Sequence, residues 1–391
     1  TVVWWIMMPN EREGKPALLM NAKWDSDVGY AWWLMESYWA LLAETFSADV
    51  RAILAYPSIS KLPEVIESSS LEVFEVDFAH FGFRYVWRQV RFIKANRVGY
   101  LYLTDSPIRH WSYLFFHLAG IERIAVHDHT PGLRTAPTGL KRLLKAWLAC
   151  LPFINADVLI GATDFVHHRL TDVVCAPPRK CHTVPNGIAP GTPEWSDVYE
   201  RFQIDPSRPI IVSVARANEY KGVRFALKAL AQLKQKQPNL RWHYLFMGDG
   251  PDRDTFIHLA DQLGLSELVS FPGKVEGAAR YLKSCAIAFH PAKGEVGYSL
   301  AILEYMQAGL PTLVPDNPSV CEATKDGVTG RIYPKDQIFD AAEKLAEYLS
   351  DPDLRTEHGK AAQLAIKQHY SLVHSHSSLV HIIQHHLLGL K

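Results

Sequence analysis

The sequence predicts an α/β protein built on doubly wound parallel sheets. Three observations carry that expectation. From Ile210 onward, short apolar runs alternate with stretches of helical periodicity, the pattern of parallel strands joined by crossover helices. One unit, 286–309, reads as strand, glycine loop, helix and stop. The chain, at 391 residues, is long enough for two or three such domains.

Composition narrows the class. The chain is 48% hydrophobic and 21% charged, ordinary for a soluble globular protein. Formal net charge is zero, which argues against non-specific nucleic-acid binding. Cys150, Cys175, Cys181, Cys285 and Cys321 are scattered and form no CxxC pair. They read as small core residues in a reducing compartment, with no structural zinc. No apolar run reaches ~18 residues, so no transmembrane helix is expected. The segment 1–8 has no basic leader and reads as a first strand, not a signal peptide. The expected location is cytoplasmic.

In chain order, a short strand is expected at 17–20. Asp25, Asp27, Gly29 and Tyr30 then precede a helix at 30–46, whose Trp32, Trp33 and Trp39 either line a ligand groove or pack on the sheet. Strands follow at 50–55 and 71–76. A helix at 81–97 carries Arg84, Arg88, Arg91, Lys94 and Arg97 on one face, with no acid between them. With Tyr85, Trp87 and Phe92 nearby, that face suits an anionic membrane surface or is the solvated side of an ordinary helix. Arg134, Lys141, Arg142 and Lys145, beside Trp147, form a second basic cluster.

A strand at 98–104 and a helix at 111–119, closed by Gly120, come next. The strand at 124–129 ends in His127, Asp128 and His129, at the edge where open α/β sheets bind ligands. Asp128 and His129 have no third partner at metal-ligand spacing, so no metal is expected. A strand at 157–161 precedes a helix from Thr163, and 180–184 reads as the last strand of the first half. The Pro-rich 190–206 reads as linker plus a small helix. Strands at 210–214, 242–247, 268–271, 312–314 and 330–333 follow, with helices at 223–235 and 251–263 among them. His374, His376, His381, His385 and His386 in the final apolar segment read as a solvated helix face.

The unit at 286–309 carries the chemistry. Gly294 and Gly297 permit unusual backbone angles and close ligand approach. Ser299 suits an N-cap, and Leu300, Ile302, Leu303 and Met306 keep helical spacing until Gly309 and Pro311 stop the helix. Free N–H groups at a helix start favour a phosphate. Glu295 before the helix and Glu304 inside it suit sugar hydroxyls.

That stretch resembles the paired-glutamate donor site of family 4 glycosyltransferases, whose GT-B fold is two Rossmann-like doubly wound domains facing a central cleft. Ser213 to Arg216, followed by Lys221 and Gly222, resembles the family's strand with an Arg and a Lys on the donor diphosphate. Gly248, Asp249, Gly250 and Pro251 resemble its next strand-end turn. Phe271 to Val275 resembles the loop against the nucleotide base, and Pro185, Asn186 and Gly187 resemble its hinge. The likeness is dense from about 184 to 334 and weak before it.

The resemblance implies an acceptor-binding domain at 1–188, completed by a C-terminal helix at 373–391, and a nucleotide-sugar domain at 189–372. It implies catalytic roles for His127, Arg216, Lys221 and Glu295. Donor contacts fall to Gly248, Val275, Gly297, Ser299, Leu300 and Glu304; Asp25, Gly29 and Tyr30 face the acceptor. It implies retention of anomeric configuration, no metal, no cofactor beyond the nucleotide-sugar substrate, and no protein general base, because the leaving phosphate takes the acceptor's proton. The acceptor would be a glycan, a lipid-linked sugar or a small molecule; separately, the basic face of 81–97 would place the protein peripherally on the inner face of a membrane.

One departure stands out. Glu295 and Glu304 have eight residues between them, one more than is usual in the family, and Val296 holds the usual first position. Glu295 serves the sugar if the loop absorbs the extra residue. A sugar-nucleotide epimerase of the same fold and a catalytically degenerate binding protein are the alternatives.

Overall fold

The computed structural model describes residues 14–27, 32–189 and 194–390. The expected strand at 1–8, and Gly29 and Tyr30, lie outside them.

The first sheet has seven strands: β1 (Ala17–Asn21), β2 (Arg51–Tyr56), β3 (Glu72–Glu75), β4 (Val98–Thr104), β5 (Arg123–Asp128), β6 (Val158–Gly161) and β7 (Cys181–Thr183). The connecting helices are α1 (Trp33–Thr45), α2 (Glu64–Glu67), α3 (Phe83–Ala95), α4 (Ser112–Ala119), α5 (Gly139–Ala149) and α6 (Asp164–His168). The strand order is β3-β2-β1-β4-β5-β6-β7, with every pairing parallel. The order reverses between β1 and β4, which opens a crevice at their carboxyl ends. β1 is buried along its whole length, as a central parallel strand covered on both faces must be.

α3 is shorter than the periodicity suggests. It ends at Ala95, and Arg97 takes a left-handed φ of 51° that turns the chain into β4. Arg97 therefore leaves the helix face that Arg84, Arg88, Arg91 and Lys94 share.

The second sheet comprises β8 (Ile210–Val214), β9 (His243–Met247), β10 (Val269–Gly273), β11 (Ile287–Phe289), β12 (Thr312–Pro315) and β13 (Gly330–Tyr333). Its helices are α7 (Val198–Phe202), α8 (Val223–Lys236), α9 (Arg253–Gln262), α10 (Leu300–Gln307), α11 (Ile338–Ser350) and α12 (Pro352–His369). The order β10-β9-β8-β11-β12-β13 is again all parallel and reverses between β8 and β11.

After α12 the chain returns to the first sheet. α13 (Leu372–Ile382) continues as a π-turn, Ile383–Leu388. Leu379, Ile382, Ile383 and Leu387 pack in one core with Leu18 and Met20 of β1 and Tyr38, Trp39 and Leu42 of α1. Trp39 is thus core, whereas the half-buried Trp33 packs against both this core and one core of the second sheet. Leu379 is fully buried, so Leu379→Ala is expected to cost about 3 kcal/mol by transfer and cavity terms. Urea unfolding checks this; an unchanged midpoint would detach α13 from the first core.

Candidate active site

The site forms where the second sheet reverses, at the loops leaving β8 and β11. β8 is held in register at its end by Tyr305, whose hydroxyl accepts the Val214 N–H at 2.6 Å. The loop beyond closes in a 3-10 turn, Glu219–Lys221, capped by Asn218, which accepts the Lys221 N–H at 3.1 Å. Gly222 then has φ +74°, and a Cβ there would stand 1.9 Å from Pro291 O. Only glycine lets the two loops touch here.

The contact aims Lys221 across the gap. Its Nζ donates to Glu295 Oε1 at 2.5 Å. His290, which follows β11, places Nε2 3.0 Å from the same oxygen and 3.4 Å from Ser299 Oγ. His290 and Glu295 are both buried, at 3% and 7% exposure. Burial pushes the Glu295 carboxyl up, but the Lys221 ammonium and the His290 hydrogen bond outweigh it and hold the pKa down at about 2. Glu295 is therefore a buried carboxylate that shares one oxygen between two nitrogen partners.

The loop 293–298 bridges both sheets. Glu295 N–H and Gly297 N–H donate to Ser319 O at 3.1 and 2.8 Å. From the first sheet, Gly132 N–H donates to Glu295 O at 2.9 Å, and the Thr163 hydroxyl donates to Val296 O. Tyr298 donates to Asn186 O at 3.0 Å. Glu322 accepts the Asp164 and Phe165 N–H groups at 3.1 and 2.9 Å, at the start of α6. Gly297 has φ +110°, and a Cβ there would lie 2.3 Å from Glu322 Oε2. Val296, between Glu295 and Gly297, is anchored through its carbonyl.

α10 starts where the spacing predicts. Ser299 Oγ accepts the Ile302 N–H at 3.3 Å. Leu300 packs against cores of both sheets. Glu304, one turn on, is buried at 9% exposure. Gly248 N–H donates to Gly273 O at 2.9 Å, and a Cβ on Gly248 would meet Ala215 O at 1.7 Å, so the turn after β9 backs the loop after β8. Val275 packs, half-buried, on a second-sheet core. Arg216 is exposed, with no side-chain hydrogen bond or ion pair among the described residues.

On the first sheet, His127 is fully buried at the end of β5. Its Nδ1 is 2.6 Å from the Tyr102 hydroxyl, and Nε2 has no partner among the described residues. Burial, aided by His129, holds its pKa well below the usual histidine value, so the ring is neutral. Asp128 is not a ligand-facing acid: it pairs with buried Arg169 at 2.9 Å and accepts from the Thr130 N–H at 2.9 Å. Arg169 also donates to Gly132 O at 3.3 Å, which positions the loop touching Glu295. Asp25 accepts from the Ser58 and Ser60 hydroxyls at 2.6 and 3.0 Å, and these hydrogen bonds lower its pKa. These partners lie just after β2, and Trp24, Trp32, Glu36, Trp39 and Tyr56 gather beside Asp25 around a shallow hollow.

The structure thus joins Lys221 to Glu295 directly, and Ser299 to both through His290. Sequence reasoning missed His290, Arg169 and Glu322. The available signal for His290 was its place at a strand end, five residues before Glu295.

Two parallel Rossmann-like sheets, with the site at the reversal of the second, define the GT-B glycosyltransferase fold. Residues 198–365 match the family model described as glycosyl transferases group 1. A solved glycosyltransferase from Rickettsia africae aligns with TM-score 0.75 and 14% identity, over 95% of this chain and 98% of that one. The Anabaena protein HepE, solved with UDP and glucose, aligns with TM-score 0.71 and 16% identity, over 94% and 98%. The D-inositol 3-phosphate glycosyltransferase of Kribbella flavida is 27% identical over 221 residues, 53% of this chain and 51% of that protein. The alpha-D-kanosaminyltransferase of Streptomyces kanamyceticus is 27% identical over 179 residues, 45% of each. The chain spans about half the length of these curated relatives. Among the described residues, no helix is long and apolar enough to cross a membrane.

Proposed function

We propose that this protein is a glycosyltransferase that moves a sugar from a nucleotide-sugar donor to an acceptor with retention of anomeric configuration. The observation that carries the reading is the cluster of Lys221, Glu295 and His290 beside the capped start of α10. A diphosphate entering there meets Lys221, Arg216 and the first N–H groups of α10, all positive. Charge grows on the leaving phosphate as the glycosidic bond breaks, and fixed donors aimed at it lower the barrier most. These cations supply the charge that a metal would otherwise bring. Glu295 holds the sugar hydroxyls, Glu304 the ribose, and His127 Nε2 reaches the transferred sugar. Val275 lies against the base and Gly248 keeps the phosphate loop close.

The acceptor enters from the first sheet. Asp25 and Glu36 among Trp24, Trp32 and Tyr56 offer the mix of carboxylates and ring faces that suits a sugar. The exposed Arg84, Arg88, Arg91 and Lys94 of α3, with Arg97 beyond it, would hold the protein peripherally at an anionic membrane.

Thermal unfolding with a panel of nucleotide sugars tests the donor. A true donor at ~100 times its Kd adds about 2.7 kcal/mol of stability, and a sugar acceptor then releases the free nucleoside diphosphate. No shift with any nucleotide sugar would sink the reading.

A further inference from the structure

α5 is an amphipathic helix whose apolar side faces away from the protein. Leu140, Leu143, Leu144 and Trp147 recur at i, i+3, i+4 and i+7, the spacing of a stripe that is normally buried. They are 81%, 68%, 54% and 61% exposed. No residue of α5 belongs to any of the hydrophobic cores. The helix rests on the domain through buried Ala149, through Lys145 Nζ, which donates to Val173 O at 3.0 Å, and through Asn155 Nδ2, which donates to Leu148 O at 2.9 Å. At about 100° per residue, Ala149 lies opposite the leucine stripe.

The neighbouring helices extend this face. The residues just before α4 are tied to those just after α5, by His110 N–H to Ile154 O at 2.9 Å and the bridge between Arg109 and Asn155. The Trp111 ring, at the start of α4, then lies tilted with its centroid 4.8 Å from that of Phe83 of α3, which is 82% exposed. Exposed apolar side chains thus occur on all three neighbouring helices, with Leu114, Phe115 and Leu118 on α4.

Charge identifies what covers it. α3, α4 and α5 contain no Asp or Glu, while α3 carries Arg84, Arg88, Arg91 and Lys94 and α5 carries Lys141, Arg142 and Lys145. In a chain of zero net charge, this is a local surplus. A second copy docked by the same face would set like charges against each other. An anionic bilayer takes both features: apolar side chains at the acyl boundary and cations among the headgroups.

We propose that this face docks on an anionic bilayer, with α5 inserted along its leucine stripe. The proposal goes beyond electrostatic attraction through α3, because α5 supplies the insertion, and it does not depend on the donor chemistry. The loop leading into α5 carries Gly132, which holds the Glu295 carbonyl, so docking sets the site close to the headgroup layer.

Flotation of the full chain with phosphatidylcholine vesicles, with and without phosphatidylglycerol, tests it. The wild type is expected to float with the anionic vesicles at low salt and to be released as salt rises. The triple variant Leu143→Ser, Leu144→Ser, Trp147→Ser is expected to lower the bound fraction about tenfold or more at every salt concentration. Lys141→Ser with Arg142→Ser is expected to lower it about tenfold at low salt only. Both variants keep the wild-type circular dichroism and thermal transition, since no α5 residue sits in a core. A wild type that stays unbound, or a triple variant that floats normally, overturns the proposal. A lipid-independent dimer that the triple variant converts to monomer also overturns it and gives the face to a second copy. The donor reading is checked separately, by thermal shift in vesicle-free solution.

Discussion

Replacing Glu295 by Gln is expected to lower kcat/KM by one to three orders of magnitude, roughly 1.4 to 4 kcal/mol, with no loss of affinity for the bare nucleoside diphosphate. The carboxylate is buried and already engaged by Lys221 and His290. A site built to accept from sugar hydroxyls suffers when its acceptor is weakened, because the partner groups are left unpaired. Val296 cannot substitute: its side chain is apolar, and its carbonyl is taken by Thr163. Losing the negative charge also frees Lys221 for phosphate, so diphosphate binding is retained. Steady-state kinetics together with product titration separate the two effects. Normal transfer by both Glu295→Gln and Glu295→Ala would strike Glu295 from the site.

Lys221→Ala and Arg216→Ala are each expected to cut turnover about 10²-fold, ~3 kcal/mol, as for a lost oxyanion donor. The two should differ in stability. Arg216 is exposed, and its loss should change stability by less than about 0.5 kcal/mol. Lys221 neutralises a buried carboxylate, and removing one partner of such a pair costs about 3 kcal/mol. The pH dependence gives a further signature. In the wild type the Glu295 pKa is held down at about 2, so its contribution is complete above the ordinary carboxylate pKa and is lost as pH falls towards 2. Without Lys221, the opposing effect of burial gains weight and the pKa rises. The deficit of Lys221→Ala should therefore shrink on acidification, as the carboxyl takes up a proton. Urea unfolding at neutral and mildly acidic pH measures this. Equal stabilities for the two variants at neutral pH would show that the Lys221–Glu295 pair holds nothing.

Local features were legible in the sequence because their causes lie within a few residues. Ser299 caps α10 through a bond three residues away, and Gly294 and Gly297 flank a loop that needs them. The alternation of strands and helices from Ile210 on is a matter of spacing, and the parallel sheet follows from it. Even the departure in glutamate spacing could be located, at Val296. The limit appears one step later: spacing cannot say whether a displaced side chain turns inward or outward.

Tertiary structure decided that. Glu295 faces inward because Gly222 lets the loop after β8 touch Pro291, which brings Lys221 across the sheet reversal; these residues are far apart in the chain and meet only through topology. His290 joins them for the same reason, and Arg169 acts on Glu295 only through Gly132. Arg97 left its helix face because a left-handed turn into β4 was needed, and α13 found its core some 350 residues before it, on β1. In α5 the periodicity shows which side of the helix is apolar, but whether that side is covered depends on which elements the fold brings against it. The fold brings none of the described residues there, because the helix meets its domain through Ala149 on the opposite side.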